Sequence, residues 1–315
     1  MKRKNIAKWV GIGALLCLCA GCGGQESEKA GGEVMETEQT GVAAQEQDVE
    51  VQNDTEEKKK GTIVVIPDFY SEELGTEMVI RIYLPPEYEQ SGKNYPVIYM
   101  PDGQNLFSSS TATYQKEWCM DETLDGLYQK KRTDGVIVVG VDSYSATRTK
   151  DYNIYLGAYE GGGEGNAVKT ADFFVNTLKP YIDENYRTMP EREHTAIIGS
   201  SYGAVTAICA SVNYPEIYGY IGAFSYCDNQ NPEKMNEYLK ANLTKEIFAE
   251  HKIYFFTGAY DFAYQSTKGA YEIALENGLE NVAYLFDENG QHDEYTWCKY
   301  VDDCLEFFEW LQPEE

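Results

Sequence analysis

The residues whose types and spacing could do chemistry are concentrated around Ser201. It is the central residue of Gly199-Ser200-Ser201-Tyr202-Gly203, which fits the pattern G-x-S-x-G. Residues 195–198 are apolar and β-branched, as in a buried parallel strand, and 204–212 have the small residues of a packed helix. At a tight strand-to-helix turn, side chains at the glycine positions would collide with neighbouring backbone, and the serine is held strained with its Oγ exposed. The pattern predicts that Ser201 is a nucleophile, whereas Ser200 lacks the flanking glycines.

A serine hydroxyl needs a base to take its proton, and the chain has only three histidines. In an open α/β sheet, functional groups gather at the carboxyl ends of the strands. His194 and His251 each stand at the start of a predicted strand, which places them at the opposite edge of the sheet. His292 follows the predicted strand 282–286. We therefore expect His292 to be the histidine that reaches Ser201.

The imidazole in turn needs a carboxylate that orients it and stabilises its charged form. Asp261 follows the predicted strand 253–257 and lies between the serine and the histidine, which gives the chain order Ser, Asp, His of α/β hydrolases. Asp228 follows the preceding strand and is the main alternative. Carboxylates at 287, 293 and 294 are so close to the histidine in sequence that they do not easily fold back onto its far ring nitrogen.

An acyl-transfer site also needs two N–H donors for the oxyanion of the tetrahedral intermediate. One is expected from Tyr202, the residue after the nucleophile. The other is expected in the loop 101–105, Pro-Asp-Gly-Gln-Asn, where Gly103 lets the backbone turn close to a substrate and the Gln104 N–H is the candidate donor. The same five residues also make a good turn, so the loop alone does not establish the role.

Strands and helices alternate along the rest of the chain. The predicted strands are 62–66, 78–84, 95–100, 135–141, 195–198, 218–225, 253–257 and 282–286. The predicted helices are 121–131, 166–186, 204–212, 232–250, 267–277 and 295–311. A polar turn joins the first two strands, which predicts an antiparallel start. The alternation predicts an α/β fold with a mainly parallel central sheet and helices on both faces. Because no second linker interrupts it, we expect one domain over 61–315.

The first 60 residues have a different character. Residues 1–22 combine a basic start with an apolar stretch that is too short to span a bilayer, as in an export signal. The end of this stretch, 18–22, resembles a bacterial lipoprotein signal with Cys22 as the lipidated residue. Residues 23–60 are polar and lack aromatic side chains, which predicts a disordered acidic tether. We expect a protein that is lipid-anchored on the outer face of the cell membrane; secretion and an uncleaved anchor helix are the alternatives.

Composition excludes several classes of partner. The formal net charge of −26 argues against nucleic acid, whose binding needs clustered lysine and arginine. The sequence has no H-E-x-x-H motif, no Cys/His cluster and no glycine-rich phosphate loop with a following lysine, so we expect neither a metal nor a nucleotide cofactor.

The cysteines beyond the signal are 119, 209, 227, 298 and 304. Their spacing permits one disulfide but assigns no pair.

Three residues in predicted loops after strands are candidates for substrate contact, namely Trp118, Tyr144 and Arg148. Tyrosine and tryptophan offer a flat apolar face with a polar tip, which suits sugar rings and aryl groups. Arg148 could hold a substrate carboxylate, although pairing with Asp151 on the same loop is an equal alternative. The expected substrate is a small acyl ester or an ester linked to a carbohydrate.

Several stretches together resemble one family, the esterase family of α/β hydrolases that includes feruloyl, acetylxylan and siderophore esterases and S-formylglutathione hydrolase. The similar stretches are 99–107, 117–124, 136–142, 178–188, 199–203 and 290–297, and the resemblance covers about 61–312. It implies an α/β-hydrolase fold with Ser201, Asp261 and His292 as the catalytic triad, in agreement with the topological argument. The expected function is a serine carboxylic ester hydrolase that works through an acyl-enzyme. The alternatives are an acyltransferase of the same fold and a catalytically silent glycan-binding lipoprotein.

Overall fold

The computed structural model describes residues 59–313, and these residues contain one eight-stranded sheet. The strands are β1 (Thr62–Ser71), β2 (Thr76–Leu84), β3 (Val97–Pro101), β4 (Ile137–Val141), β5 (Thr195–Ser200), β6 (Tyr220–Phe224), β7 (Lys252–Tyr260) and β8 (Val282–Gln291). Their order across the sheet is β1-β2-β4-β3-β5-β6-β7-β8. The pairs β1–β2 and β2–β4 are antiparallel, and the other five pairs are parallel. The predicted mainly parallel sheet with an antiparallel start is confirmed.

The α-helices are α1 (Tyr88–Ser91), α2 (Met120–Gln129), α3 (Arg148–Tyr152), α4 (Ala167–Asp172), α5 (Lys179–Asn185), α6 (Tyr202–Asn213), α7 (Pro232–Asn242), α8 (Lys245–Phe248), α9 (Tyr264–Glu276), α10 (Glu294–Cys298) and α11 (Val301–Phe307). A π-helical stretch, Phe173–Leu178, joins α4 to α5, so the predicted long helix is one continuous run with a wider turn at its middle. The predicted closing helix 295–311 is wrong in detail, because the structure has two short helices there.

Both faces of the sheet are covered, as its apolar strands require. On one face, Ile197 of β5 belongs to a core cluster with Val205 of α6. On the opposite face, Ile198 belongs to a cluster with Leu124 of α2 and Leu305 of α11. Because successive side chains of a strand point to opposite faces, the central strand is buried on both sides and holds the following turn rigidly.

The predicted export signal, including Cys22, and residues 23–58 of the predicted tether lie outside the described residues. Within 59–313, no helix combines the length and the apolar character that crossing a membrane would need.

Candidate active site

Ser201 lies at the turn between β5 and α6 with φ 56° and ψ −125°, a backbone conformation that side-chain-bearing residues rarely adopt. The turn is tight at one of its two glycines: a Cβ on Gly199 would lie 2.3 Å from the carbonyl oxygen of Gly203. At Gly203 itself, the nearest atoms to an added Cβ are side-chain atoms of Asp102 and Pro101 at 3.4 Å. The expected backbone collision therefore occurs at Gly199, and the prediction of one at Gly203 is wrong.

His292 directly follows β8, which runs five residues beyond the predicted end of that strand. Its Nδ1 lies 2.7 Å from Oδ1 of Asp261 in the loop after β7. Asp228, the alternative acid, instead accepts a hydrogen bond from Ser266 Oγ at 2.5 Å. Of the two candidate carboxylates, Asp261 is therefore the one in contact with the imidazole.

The carboxylate of Asp261 is buried and held by several donors. Ser225 Oγ donates to Oδ2, Thr257 Oγ1 donates to the same oxygen at 3.3 Å, and the Ala263 N–H donates to Oδ1 at 2.7 Å. Burial alone would raise the pKa of Asp261. The hydrogen bond and charge of His292, together with the bonds from Ser225 and Ala263, hold this pKa below its ordinary value. The group is therefore an anion that can stabilise a positive imidazole.

Ser201 and His292 line one open cavity of about 470 Å³. The imidazole is fixed from two sides, because Phe262 stacks on it at 3.9 Å and the indole of Trp297 meets it edge-on at 5.3 Å. The other histidines lie elsewhere. His194 is exposed in the turn before β5, and His251 is buried with Nε2 2.8 Å from the carbonyl oxygen of Pro215.

The loop predicted to supply an oxyanion donor begins at Asp102, whose φ is 62°. Arg148 holds the Asp102 carboxylate with two parallel hydrogen bonds, Nε to Oδ1 at 2.8 Å and Nη2 to Oδ2 at 2.7 Å. Ser143 Oγ donates to Oδ1 at 2.6 Å, and the Asp102 N–H donates to the Tyr152 hydroxyl at 3.1 Å. A bidentate, charge-assisted pair of this kind fixes both the position and the orientation of the Asp102 carboxylate. It therefore restrains the backbone that leads from Asp102 to Gln104.

The two expected N–H donors lie in the first turns of helical segments. Gln104 is the second residue of a 3₁₀ turn, Gly103–Asn105, and Tyr202 is the first residue of α6. N–H groups at the start of a helix have no acceptor within it and can bind an anion. The Gln104 side chain is occupied, since its Oε1 accepts from the Ser143 N–H at 2.9 Å. The Tyr202 hydroxyl likewise donates to Asn229 Oδ1 at 2.8 Å, so both residues offer backbone rather than side-chain groups.

The structure corrects two of the three predicted substrate contacts. Trp118 is 2 % exposed and packs against Phe224 and Trp297 beneath the cavity. Tyr144 lies outside the cavity wall and donates from its hydroxyl to the Glu77 carbonyl oxygen at 2.6 Å. Both predictions are wrong for the same reason. A position after a strand does not determine the direction in which a side chain of a long loop points. Arg148 does line the cavity, and its partner is Asp102 rather than Asp151.

Sequence reasoning missed several residues of the cavity wall, among them Phe262 and Glu294. Phe262 is 69 % exposed and covers the imidazole; its position directly after Asp261 was the available signal. Glu294, considered before only as a rival triad acid, is 5 % exposed and accepts from Asn105 Nδ2 at 3.0 Å. Burial raises the pKa of Glu294 to about 7.

One group of carboxylates in the described part of the chain is close enough to hold a cation. Oxygens of Glu117, Asp121 and Glu122 lie within 4.8 Å of one another. None of these three residues lines the cavity around Ser201, so the group is separate from the candidate active site.

Comparison with known proteins places the chain in a family. The family model described as "Putative esterase" matches residues 71–243, which include Ser201 and the loop after β3. Over 163 residues the chain is 29 % identical to the uncharacterized protein YjcH of Bacillus subtilis, covering 52 % of this chain and 61 % of that protein. Over 161 residues it is 26 % identical to an endo-1,4-beta-xylanase/feruloyl esterase of Xylanibacter ruminicola, covering 50 % of this chain and 20 % of that protein. The chain thus spans less than two thirds of the length of either relative.

Solved structures give the same fold. A ferulic acid esterase superposes with a TM-score of 0.60 at 20 % identity, covering 80 % of this chain and 98 % of its own. At that identity the similarity establishes the fold, whereas the family model, which spans more than half of the chain, establishes the family. The chain belongs to the esterase family that this model describes, and it has the fold of the superposed esterase.

Proposed function

We propose that the protein is a serine esterase that cleaves small carboxylic esters through an acyl-enzyme. The observation that carries the proposal is a shared site: Ser201 and His292 line one cavity, and Asp261 lies 2.7 Å from the far ring nitrogen of His292. A strained serine, an imidazole and a buried carboxylate in this order are the parts that acyl transfer needs.

In the proposed reaction, Nδ1–H of His292 donates to Asp261, which leaves the Nε2 lone pair to accept the Ser201 proton. The Ser201 oxygen attacks the ester carbonyl, and the N–H groups of Tyr202 and Gln104 receive the negative charge on the carbonyl oxygen. The imidazolium returns the proton to the departing alcohol. Water, deprotonated by His292, then attacks the acyl-enzyme and releases the acid and the free serine.

We propose an ester with an aryl or sugar ring as the substrate class. Two aromatic side chains of the cavity wall are strongly exposed, Phe262 at 69 % and Tyr114 at 77 %. Exposed flat rings at a cavity mouth offer stacking surface for another ring. The name of the Xylanibacter ruminicola relative, which includes feruloyl esterase, supports the same class.

We also propose the organisation expected from the sequence: an export signal over 1–22, lipidation at Cys22, a tether over 23–60 and the hydrolase domain over 61–315. The support is the sequence pattern described above. Fractionation of cells that express the chain or its Cys22→Ser variant tests the anchor. Wild type in the membrane fraction and the variant outside it would support lipidation, and an identical distribution would contradict it.

The proposed chemistry is tested by release of p-nitrophenol from acetate and butyrate esters by the protein and its Ser201→Ala variant. Loss of one member of a triad that works as a unit should lower kcat by on the order of 10⁶. Ser200→Ala is the matched control, because it removes the neighbouring hydroxyl from the same cavity. Equal rates for wild type and a folded Ser201→Ala variant would reject the proposal. With an alcohol added, an ester product in place of the free acid would identify an acyltransferase.

A further inference from the structure

Two segments that carry the proposed site lie side by side: the oxyanion-side segment, 104–119, and the histidine-side segment, 291–298. Asn105 Nδ2 donates to Glu294 at 3.0 Å, and Lys116 Nζ lies 2.6 Å from Asp293. Further along, the Tyr295 hydroxyl donates to the carbonyl oxygen of residue 115 at 3.2 Å, and the rings of residues 118 and 297 lie 5.5 Å apart. The segments are therefore joined near both ends of the oxyanion-side segment.

The next residue on each segment is a cysteine. Cys119 precedes the first residue of α2, and Cys298 is the last residue of α10. Burial and, after it, the neighbouring Cys298 thiol raise the pKa of the Cys119 thiol, so the two side chains at the end of this row of contacts lie close enough to interact.

These two cysteines also differ from the others in the described part of the chain. Cys119 and Cys298 are each partly exposed, whereas Cys209, Cys227 and Cys304 are buried. The first two are therefore more accessible to a soluble oxidant than the remaining three, which the core protects.

We propose that Cys119 and Cys298 are a disulfide site that covalently links the oxyanion-side segment to the histidine-side segment. The co-reactant is a low-molecular-weight disulfide. The thiolate of one cysteine attacks a sulfur of that disulfide, forms a mixed disulfide and releases one small thiol. The second cysteine attacks the protein-side sulfur and releases the other small thiol. The two protein thiols lose two electrons and two protons in total, and the small disulfide gains them.

The link has two structural consequences. It closes a loop of more than 100 residues, which restricts the unfolded chain and stabilises the folded state. It also anchors Cys298, the residue that follows Trp297. The Trp297 Nε1–H donates to Ser225 Oγ at 2.7 Å, and Ser225 in turn donates to Asp261. The cross-link lies outside the cavity. Through these hydrogen bonds it would restrain the Asp261 carboxylate that contacts His292. The inference itself does not depend on the proposed reaction.

The test begins with the reduced full-length protein, which is incubated with oxidised glutathione and digested without reduction. Mass spectrometry should find a peptide pair joined through Cys119 and Cys298, two hydrogen atoms lighter than the separate peptides, that dithiothreitol separates. Oxidation should also raise the thermal midpoint by about 5–10 °C. In Cys119→Ser and in Cys298→Ser the remaining cysteine should carry glutathione, and the rise should be absent.

Cys304→Ser is the control, because this buried cysteine should not affect the cross-link. Glutathione attached separately to Cys119 and Cys298, or a link from either one to a different cysteine, would overturn the proposal. So would a cross-link that leaves the thermal midpoint unchanged, since the pair would then not brace the two segments. The two serine variants test the same pair from opposite sides, so that one poorly folded variant does not decide the result.

Discussion

His292 Nδ1 lies 2.7 Å from Asp261 Oδ1, and this contact joins the loops that follow two neighbouring parallel strands, β7 and β8. Three more donors, from Ser225, Thr257 and the Ala263 N–H, hold the same carboxylate. A carboxylate with this many donors keeps one orientation, so the imidazole in contact with it keeps one tautomer and one ring plane.

Asp261→Asn should lower kcat for p-nitrophenyl acetate by on the order of 10⁴ with little change in KM, because the amide no longer stabilises the charged imidazole. Asp228→Asn is the matched control. Its carboxylate contacts Ser266 instead, so this substitution should change kcat by less than about tenfold. A larger loss in the Asp228 variant would reverse the assignment of the triad acid.

Arg148→Met should destabilise the fold by about 3 kcal/mol or more, measured by urea unfolding, because it leaves the buried Asp102 carboxylate without its guanidinium. The double variant with Asp102→Asn should recover part of that loss, since position 102 then carries no buried charge that lacks a partner. For comparison, Lys93→Met removes an exposed ion pair with Asp134 and should barely shift the thermal midpoint. Additive single losses in the double variant would show that the two groups do not act as a pair.

Glu294 should make stability pH-dependent. Its pKa is raised by burial to about 7, above the value of about 4.3 expected in the unfolded chain, so the folded state favours the protonated form. That stabilisation is fully present below about pH 4 and is lost as the pH rises through 7. Glu294→Gln stays neutral at every pH. The difference in the free energy of unfolding between this variant and wild type should therefore shift in favour of the variant by about 2–4 kcal/mol between pH 4.5 and 8.

The measurement for Glu294→Gln is urea unfolding at several pH values in that interval. Glu288→Gln is the control, because Glu288 lies exposed on β8 and its substitution should change stability little at any pH. A constant difference between wild type and Glu294→Gln across the interval would show that Glu294 does not titrate abnormally.

Phe262→Ala should weaken the binding of esters with a ring in the acyl part. Removing this exposed ring of the cavity wall should raise KM for a cinnamic ester by about threefold to tenfold and leave KM for the acetate ester less affected. Tyr260→Ala is the matched control, since Tyr260 is 75 % exposed nearby but does not line the cavity. An equal fall of kcat for both esters with little change in KM would indicate that Phe262 acts by orienting His292 instead.

Local pattern was sufficient for the elbow and for the fold. The conformation of Ser201 depends on its neighbours in sequence, a buried strand before it, a glycine at 199 and a helix after it. Alternation of strands and helices was likewise enough to predict the mainly parallel sheet. The choice of His292 needed only the rule that strand ends meet at one edge of the sheet, because the other two histidines precede their strands.

Only the tertiary structure decided the contacts made by loops. Asp228 and Asp261 follow adjacent strands at the same edge, so sequence order could not say which carboxylate turns toward the imidazole. Trp118 was predicted to line the pocket and is buried in the core. Arg148 pairs with Asp102, 46 positions away, rather than with the nearer Asp151. The physical reason is the same in each case: a loop's path is set by packing and hydrogen bonds to segments distant in sequence, and no local pattern records those partners.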